Sequence, residues 1–412
     1  MHRLAVPLLR EMFERAVAAV HPDRCLPAFL PPPPTGRLLV LGAGKGAAAM
    51  AQVVERHYPM PVAGLVVTRH GHGLPCRHVE VVEAGHPLPD EHGRQAAARM
   101  LEMVQSLGTD DLALFLVSGG GSALLPAPVA GLTLADKQAI TRALLRSGAA
   151  IGEINTVRKH LSSIKGGRLA AAAWPARFLT LAISDVPGDD PAIIASGPGL
   201  ADPTTCGQAA AILRQHGLAV PGCLDESPKP GDPRLARAEA RVVATARAAL
   251  AVAAETAHLA GWGVLDLGDE IEGEAREVAK VIAGIARSIR RHGHPCAGPV
   301  ALLSGGETSV TVRGSGRGGR NAEFLLALGL ALDGLDGVYA LAADTDGIDG
   351  SENNAGAILT PDSLSRAAAL GLDATAMLTD NDAYGVFAAL GDLVVSGPTR
   401  TNVNDLRIVL IP

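Results

Sequence analysis

Basic residues stand inside glycine-rich stretches at two places. Lys45 lies within Gly42-Ala43-Gly44-Lys45-Gly46, directly after an apolar run, and Arg320 closes Gly314-Ser315-Gly316-Arg317-Gly318-Gly319 just ahead of Asn321. Glycine lets backbone N–H groups approach an anion, and a helix starting there adds the positive end of its dipole. Each stretch reads as an anion site with a full positive charge beside it. A third stretch, Ser118-Gly119-Gly120-Gly121-Ser122, offers amides and hydroxyls to phosphate or carboxylate oxygens. Its other reading is a tight strand-to-helix connection. Two acidic runs complete the set: Asp185, Asp189 and Asp190 in one, Asp344, Asp346 and Asp349 in the other. Carboxylates beside phosphate-binding loops suit Mg²⁺, which keeps its waters and is shared between one or two carboxylates and substrate phosphates. Asx turns are the alternative for both runs.

Several familiar signatures fail in detail. The Lys45 turn lacks the G-x-x-x-x-G-K-[ST] spacing of a Walker A loop, but with Ala47 it satisfies the looser G-x-G-x-x-G/A rule of a dinucleotide site. An NAD site calls for an acid at the end of the second strand, where this chain has Thr68-Arg69; Arg69 leaves NADP open. No G-x-S-x-G elbow marks a hydrolase nucleophile. The Asp344 run is no EF-hand, because Ile348 and Asp349 occupy its fifth and sixth positions. His70, His72, His86 and His160 show no metal-ligand spacing.

The elements that must carry these residues follow from periodicity. A leading helix over about Pro7 to Val20 precedes the stiff stretch Pro31 to Pro34. Strands at Leu38 to Leu41, Val62 to Val67, Val79 to Glu83, Leu112 to Val117 and Phe178 to Ile183 alternate with helices. Those strands are apolar throughout, the mark of a parallel sheet covered on both faces. In the helix Glu153 to Ile164, the residues Ile154, Val157, Leu161 and Ile164 form the buried stripe, leaving Asn155, Arg158, Lys159 and Ser162 opposite. That face reads as solvated, or, with Lys165 and Arg168 following, as a basic ligand surface. The Pro- and Gly-rich segment 221–233 marks a domain boundary, giving residues 1–232 and 233–412. Beyond it a strand over Ser309 to Arg313, a Leu-rich helix from Asn321 to Leu332 and a strand over Gly337 to Ala342 follow.

A length of 412 residues suggests two or three domains, at ~100 to 200 residues each. Hydrophobic residues at 48% and charged residues at 19% exclude general disorder. The net charge of -6 argues against nucleic acid or an anionic membrane as the main partner, so an anionic substrate must be held by local basic groups. Five scattered cysteines form no C-x-x-C pair, and no apolar run approaches ~18 residues, which together point to a cytoplasmic protein. The Leu-rich second half allows a homodimer or simply buried helices.

The ordered set of Gly42-Ala-Gly-Lys45-Gly, Gly85-His-Pro-Leu-Pro-Asp90, Ser118-Gly-Gly-Gly-Ser122, Asn155-Thr-Val-Arg-Lys159-His-Leu-Ser, Lys165-Gly-Gly-Arg168, Ser184-Asp-Val-Pro-Gly-Asp189, Ser304-Gly-Gly-Glu307-Thr, Gly318-Gly-Arg320-Asn321 and Asp344-Thr-Asp-Gly-Ile-Asp-Gly350 resembles the bacterial and archaeal glycerate 2-kinases that end in a MOFRL domain. The resemblance spans almost the whole chain. It implies a two-domain α/β enzyme with a Rossmann-like first domain, a MOFRL region over about 298–406 and an active site in the interdomain cleft. The implied reaction moves the γ-phosphoryl of ATP, with Mg²⁺, to D-glycerate, giving 2-phosphoglycerate. Lys45 and Arg320 are the implied catalytic cations. Asp185 and Asp189 are expected to hold Mg²⁺ or orient the C2 hydroxyl, with one of them, Asp189 among the catalytic candidates, accepting its proton, and Asp346 is a further metal candidate. Gly44, the Ser118–Ser122 loop (Gly119, Gly120 and Gly121 included), Asn155, Lys159, Lys165, Glu307, Asn321 and Asp344 are expected to bind substrate or nucleotide. Members of the family are also labelled hydroxypyruvate reductase, which keeps an NAD(P)H-dependent reductase as the alternative. A non-catalytic sugar-acid binding protein is the second alternative.

Overall fold

The computed structural model describes residues 2–332 and 334–412, which form two compact units. The first, Pro22–Ala244, is built on six parallel strands: β1 (Leu38–Ala43), β2 (Val62–Arg69), β3 (Val79–Ala84), β4 (Leu112–Val117), β5 (Arg177–Ile183) and β6 (Ala238–Ala244). Their order is β3-β2-β1-β4-β5-β6. All residues of β1 and β4 are buried, as expected of central strands covered by helices on both faces. This is the doubly wound order in which strand sequence reverses between β1 and β4, so ligands are expected beyond the carboxyl ends of those two strands.

The second unit holds a mixed sheet. Its strands are β7 (Gly263–Asp266), β9 (Val300–Ser304), β11 (Tyr339–Asp344), β12 (Gly356–Leu359), β13 (Leu393–Val394) and β14 (Asp405–Ile411), in the order β13-β12-β11-β14-β9-β7. Only β7 and β9 run parallel; the other pairs are antiparallel. Two-residue strands β8 (Gly273–Glu274) and β10 (Thr308–Ser309) form a separate parallel pair. The strand read over Ser309 to Arg313 stops at Ser309, because the Thr311 and Arg313 amides donate to the side chains of Glu274 and Asn381 instead of to a ladder. In the Arg320–Leu332 helix Leu325, Leu326, Leu328 and Leu332 are buried in the core and Leu330 is partly exposed.

The division between units differs from the sequence boundary at 232/233. It falls at Ala244/Thr245, because β6 hydrogen-bonds to β5 and belongs to the first sheet. The leading helix, His2–Ala19, belongs to the second unit. Its apolar stripe of Leu8, Leu9, Met12, Phe13 and Ala16 is buried, and it packs against the Ala246–Leu259 helix. The Thr401 hydroxyl donates to the Val20 carbonyl at 2.7 Å, fixing the end of that segment. No helix among the described residues is long and apolar enough to cross a membrane.

Candidate active site

At the carboxyl ends of β1 and β4 the two small-residue loops close on each other. The Lys45 amide donates to the Gly119 carbonyl at 2.9 Å, the Gly46 amide to Ser118 Oγ at 2.9 Å, and the Gly44 amide to the Val67 carbonyl at 3.0 Å. These amides are therefore not available to cradle a phosphate, which corrects the reading of Gly44 as an anion-binding amide. Gly44 is needed for another reason: its φ is 139°, and a Cβ there would collide with the Ser118 side chain. Ser118 likewise acts as a brace, fully buried with its hydroxyl on the Gly46 amide. The Gly119, Gly120 and Gly121 segment turns through a left-handed Gly120, φ 84°, close under His86. Lys45 emerges from this braced turn half-buried.

Beside it lies a buried basic region. Asn155, Lys159 and Lys165 are 8%, 8% and 1% exposed, so the polar face is not solvated. The helix carrying the first two spans Ile151–His160, ending earlier than the spacing suggested. Lys159 pairs with Asp202 at 3.4 Å, and Asp202 also accepts from Thr204 and Ser227. That ion pair gives Lys159, expected to bind substrate or nucleotide, a counter-ion within the protein. Lys165 Nζ donates to the main-chain carbonyls of Ser122 and Ala195, at 3.0 and 3.3 Å. Burial, with Lys137 and Arg158 nearby, pushes its ammonium well below the ordinary lysine value. Ser122 Oγ meets Ser196 Oγ at 2.9 Å, and Ser196 donates to Asn155 Oδ1 at 3.3 Å.

Asp185 and Asp189 follow β5 on one loop. Asp189 has φ 54°, is partly exposed, and its carboxylate has no partner among the described residues. Asp346 belongs to the second unit, where it accepts from the Ile348 amide and donates its own amide to Asp344. Among the described residues the cluster of metal-type ligands is instead His160, Cys206 and Glu226, whose ligand atoms lie within 4.8 Å of one another. Glu226 there also pairs with Lys229 and accepts from the Cys206 amide, while buried His160 Nε2, 3.4 Å from Glu226, makes no hydrogen bond.

In the second unit Arg320 is caged by acids. Its guanidinium meets Asp405 at 2.8 Å, Asp344 at 2.8 Å and Glu307 at 2.7 Å. Burial lowers its proton affinity, but the three carboxylates more than reverse that and hold it above the ordinary arginine value. The helix start at Arg320 is not an open anion site either: Asp349 accepts from the Asn321 and Ala322 amides, and Asn321 Nδ2 donates to Asp405 at 2.7 Å. A carboxylate of the protein itself fills the positive helix end. Buried Asp349 is pushed up to about 6 by desolvation against those two amides. Arg407, fully buried, pairs with Asp405 at 2.7 Å and lies over the Phe324 ring.

Residues 8–226 match the family described as a domain of unknown function, DUF4147, and residues 300–405 match the MOFRL family. A D-glycerate 2-kinase of Thermotoga maritima is 39% identical over 97% of both chains. The chain belongs to the DUF4147–MOFRL family of glycerate kinases. The crystal structure of a glycerate kinase from Thermotoga maritima superposes with a TM-score of 0.90 at 39% identity, covering 98% of this chain and 99% of that one. A protein of Agrobacterium vitis provisionally named hydroxypyruvate reductase is 52% identical over 98% of this chain and 94% of its own length.

This glycerate kinase family member holds functional candidates that sequence reading passed over. Lys137 is one: it replaces an apolar residue on the stripe of the Leu134–Arg146 helix, between Leu134 and Leu144, and that break in pattern was the available signal. Its Nζ donates to the Leu161 carbonyl at 3.2 Å, and burial pushes it down to about 7. Asp405 opens β14 with no distinctive neighbours, and Ser196 sits in a plain Ala-Ser-Gly-Pro stretch, so neither carried a signal.

Proposed function

We propose that this chain is a kinase that transfers the γ-phosphoryl of ATP to the C2 hydroxyl of D-glycerate. The observation that carries the reading is the likeness to the Thermotoga D-glycerate 2-kinase over 97% of both chains in sequence, with a Thermotoga glycerate kinase matching in fold over 98% of this chain. The geometry supports it. Lys45 stands at the β1/β4 switch point, where a doubly wound sheet places its ligand, and phosphoryl transfer asks mainly for positioned positive charge. Arg320 uses three of its five N–H groups on carboxylates, leaving one on each terminal nitrogen for a phosphoryl oxygen. Asp189 is the base: its unpartnered carboxylate accepts the C2 hydroxyl proton as the oxygen attacks.

The hard carboxylate oxygens of Asp185 and Asp189 fit Mg²⁺, which, when bound, would neutralise charge on the phosphates. The reductase name of the Agrobacterium relative finds less support. No acid ends β2, which closes on Arg69, and the amides that would meet a pyrophosphate are used inside the protein. Five free cysteines and an ATP substrate fit a reducing cytoplasm.

The test is incubation with D-glycerate and MgATP, coupled to an enzyme that consumes 2-phosphoglycerate, beside a parallel assay with hydroxypyruvate and NADH or NADPH. Product formed with MgATP is the expected result. Nicotinamide oxidation without phosphoglycerate overturns it, and glycerate binding with neither product makes the chain a binding protein.

A further inference from the structure

The cations of the first unit sort into two groups. Lys159 is neutralised by Asp202 and Arg168 by Asp225, at 3.4 and 3.3 Å. Lys137, Arg158 and Lys165 have no carboxylate within ion-pair distance among the described residues. Lys137 and Lys165 are 7% and 1% exposed, and their ammonium groups touch main-chain carbonyls alone. Burial lowers the proton affinity of all three, and nearby cations add to it for the lysines, Lys137 and Arg158 acting on Lys165, and Arg158 and Arg168 on Lys137. Taking cations out of water without a counter-ion is costly, and a protein that only needed to fill this volume would do better with methionine or leucine. The cost makes sense where an anion completes the group.

Neutral donors converge on the same place. Ser122, Ser196 and Asn155 form a chain of contacts at 2.9 and 3.3 Å, next to the carbonyls that hold Lys165. Ser196 reaches it through a rare backbone: Ala195, Ser196 and Gly197 have φ of 51°, 61° and 60° in succession. Non-glycine residues hold such angles at a cost, and where they do so side by side the local structure is over-determined by something else, typically a site.

We propose that Lys137, Arg158 and Lys165, with Ser122, Asn155 and Ser196, form a closed subsite that takes the carboxylate of the acceptor hydroxy acid. The proposal rests on the kinase reading for the identity of that acid. A set of side-chain cations and hydroxyls in which Lys137, Asn155, Lys165 and Ser196 are buried and Arg158 and Ser122 partly so suits a small, compact anion bearing hydroxyl groups. A nucleotide polyphosphate is long and asks instead for a run of open backbone amides.

The variant to make is Lys137→Met, which removes an uncompensated buried charge and is expected to fold at least as well as the parent. With MgATP saturating, KM for D-glycerate should rise tenfold or more, while KM for ATP stays within twofold. Titration calorimetry should show the same loss of D-glycerate affinity. A rise in KM for ATP instead would assign the cations to the nucleotide, and unchanged constants for both would make them structural; either result overturns the proposal. The unmodified protein gives a second measurement, independent of any variant. An arriving carboxylate recharges Lys137, which faces Arg158 and Arg168, and Lys165, which faces Lys137 and Arg158. D-Glycerate binding near pH 8, followed in buffers of different ionisation enthalpy, should therefore take up protons. Binding without proton uptake overturns the subsite. The two readings fail separately: absence of phosphoglycerate removes the kinase, whereas glycerate affinity indifferent to Lys137 removes the subsite.

Discussion

The two units each gather arginines and lysines out of water, and they treat them in opposite ways. Around Lys165 burial lowers the proton affinity of Lys137 and Lys165, and neighbouring cations with no acid among them lower it further. Around Arg320 the acids outnumber the cations, with Asp344, Asp405 and Glu307 against Arg320 and Arg407, and the affinity of Arg320 for its proton rises. A residue type alone says little about what a site will bind; the balance of its neighbours decides. By that measure the first centre is the one proposed to take an anion, and in the second the carboxylates outnumber the cations while Arg320 keeps one N–H on each terminal nitrogen open.

The sharpest way to break this contrast is to remove the central cation of the acid-rich group. Arg320→Ala takes one ion-pair partner from each of the buried Asp405 and Asp344, leaving Asp405 with Arg407 and Asn321, and breaking such a pair costs up to about 3–5 kcal/mol. Denaturant unfolding should show that loss, in contrast to Lys137→Met, which should lose none. A stability within 1 kcal/mol of the parent would mean that water or rearrangement relieves the acids, roughly a surface-pair result.

Lys45 tests the chemistry rather than the fold. Its side chain leaves a turn that is held by its own backbone, so Lys45→Ala should keep the unfolding midpoint while kcat falls on the order of 10³-fold. Normal turnover in that variant would remove Lys45 from the mechanism.

The smallest effect is a slope. Lys137 binds its proton with a pKa of about 7 in the folded protein, against 10.5 ordinarily. Between those values the unfolded chain holds more protons, so stability should rise with pH, by up to about 1.4 kcal/mol per unit, and the full penalty stands below 7. Lys137→Met should flatten that rise. An unchanged profile from pH 7 to 10 would show that Lys137 is solvated or paired after all.

Much of the first unit was legible because its signals are local. The strand Leu112–Val117 falls where periodicity put it, and Arg177–Ile183 starts one residue earlier than read. The glycine turns were visible too, but not their purpose. That Gly44 serves to admit Ser118, and that the Gly46 amide ends on the Ser118 hydroxyl, depend on two segments far apart in sequence. The same holds for Arg320, whose partner Asp405 lies 85 residues away. Lys159 and Lys165 look alike in sequence, and only the presence of Asp202 beside one separates a satisfied cation from an unsatisfied one. The unit boundary was misplaced because β6 has a polar alternation typical of an edge strand rather than the continuous apolar run of its neighbours.

The leading helix adds a matter of timing. Its apolar stripe is buried within a unit whose remaining residues, Thr245–Pro412, lie more than two hundred positions further along the chain. At ~5–20 residues per second of synthesis, Pro22–Ala244 can emerge and fold while the helix still lacks its partners. For those tens of seconds Leu8, Leu9, Met12 and Phe13 are an exposed greasy strip on a nascent chain, the kind of surface that ribosome-associated chaperones hold. Completing the second unit then requires that segment to meet a sheet made more than two hundred residues after it.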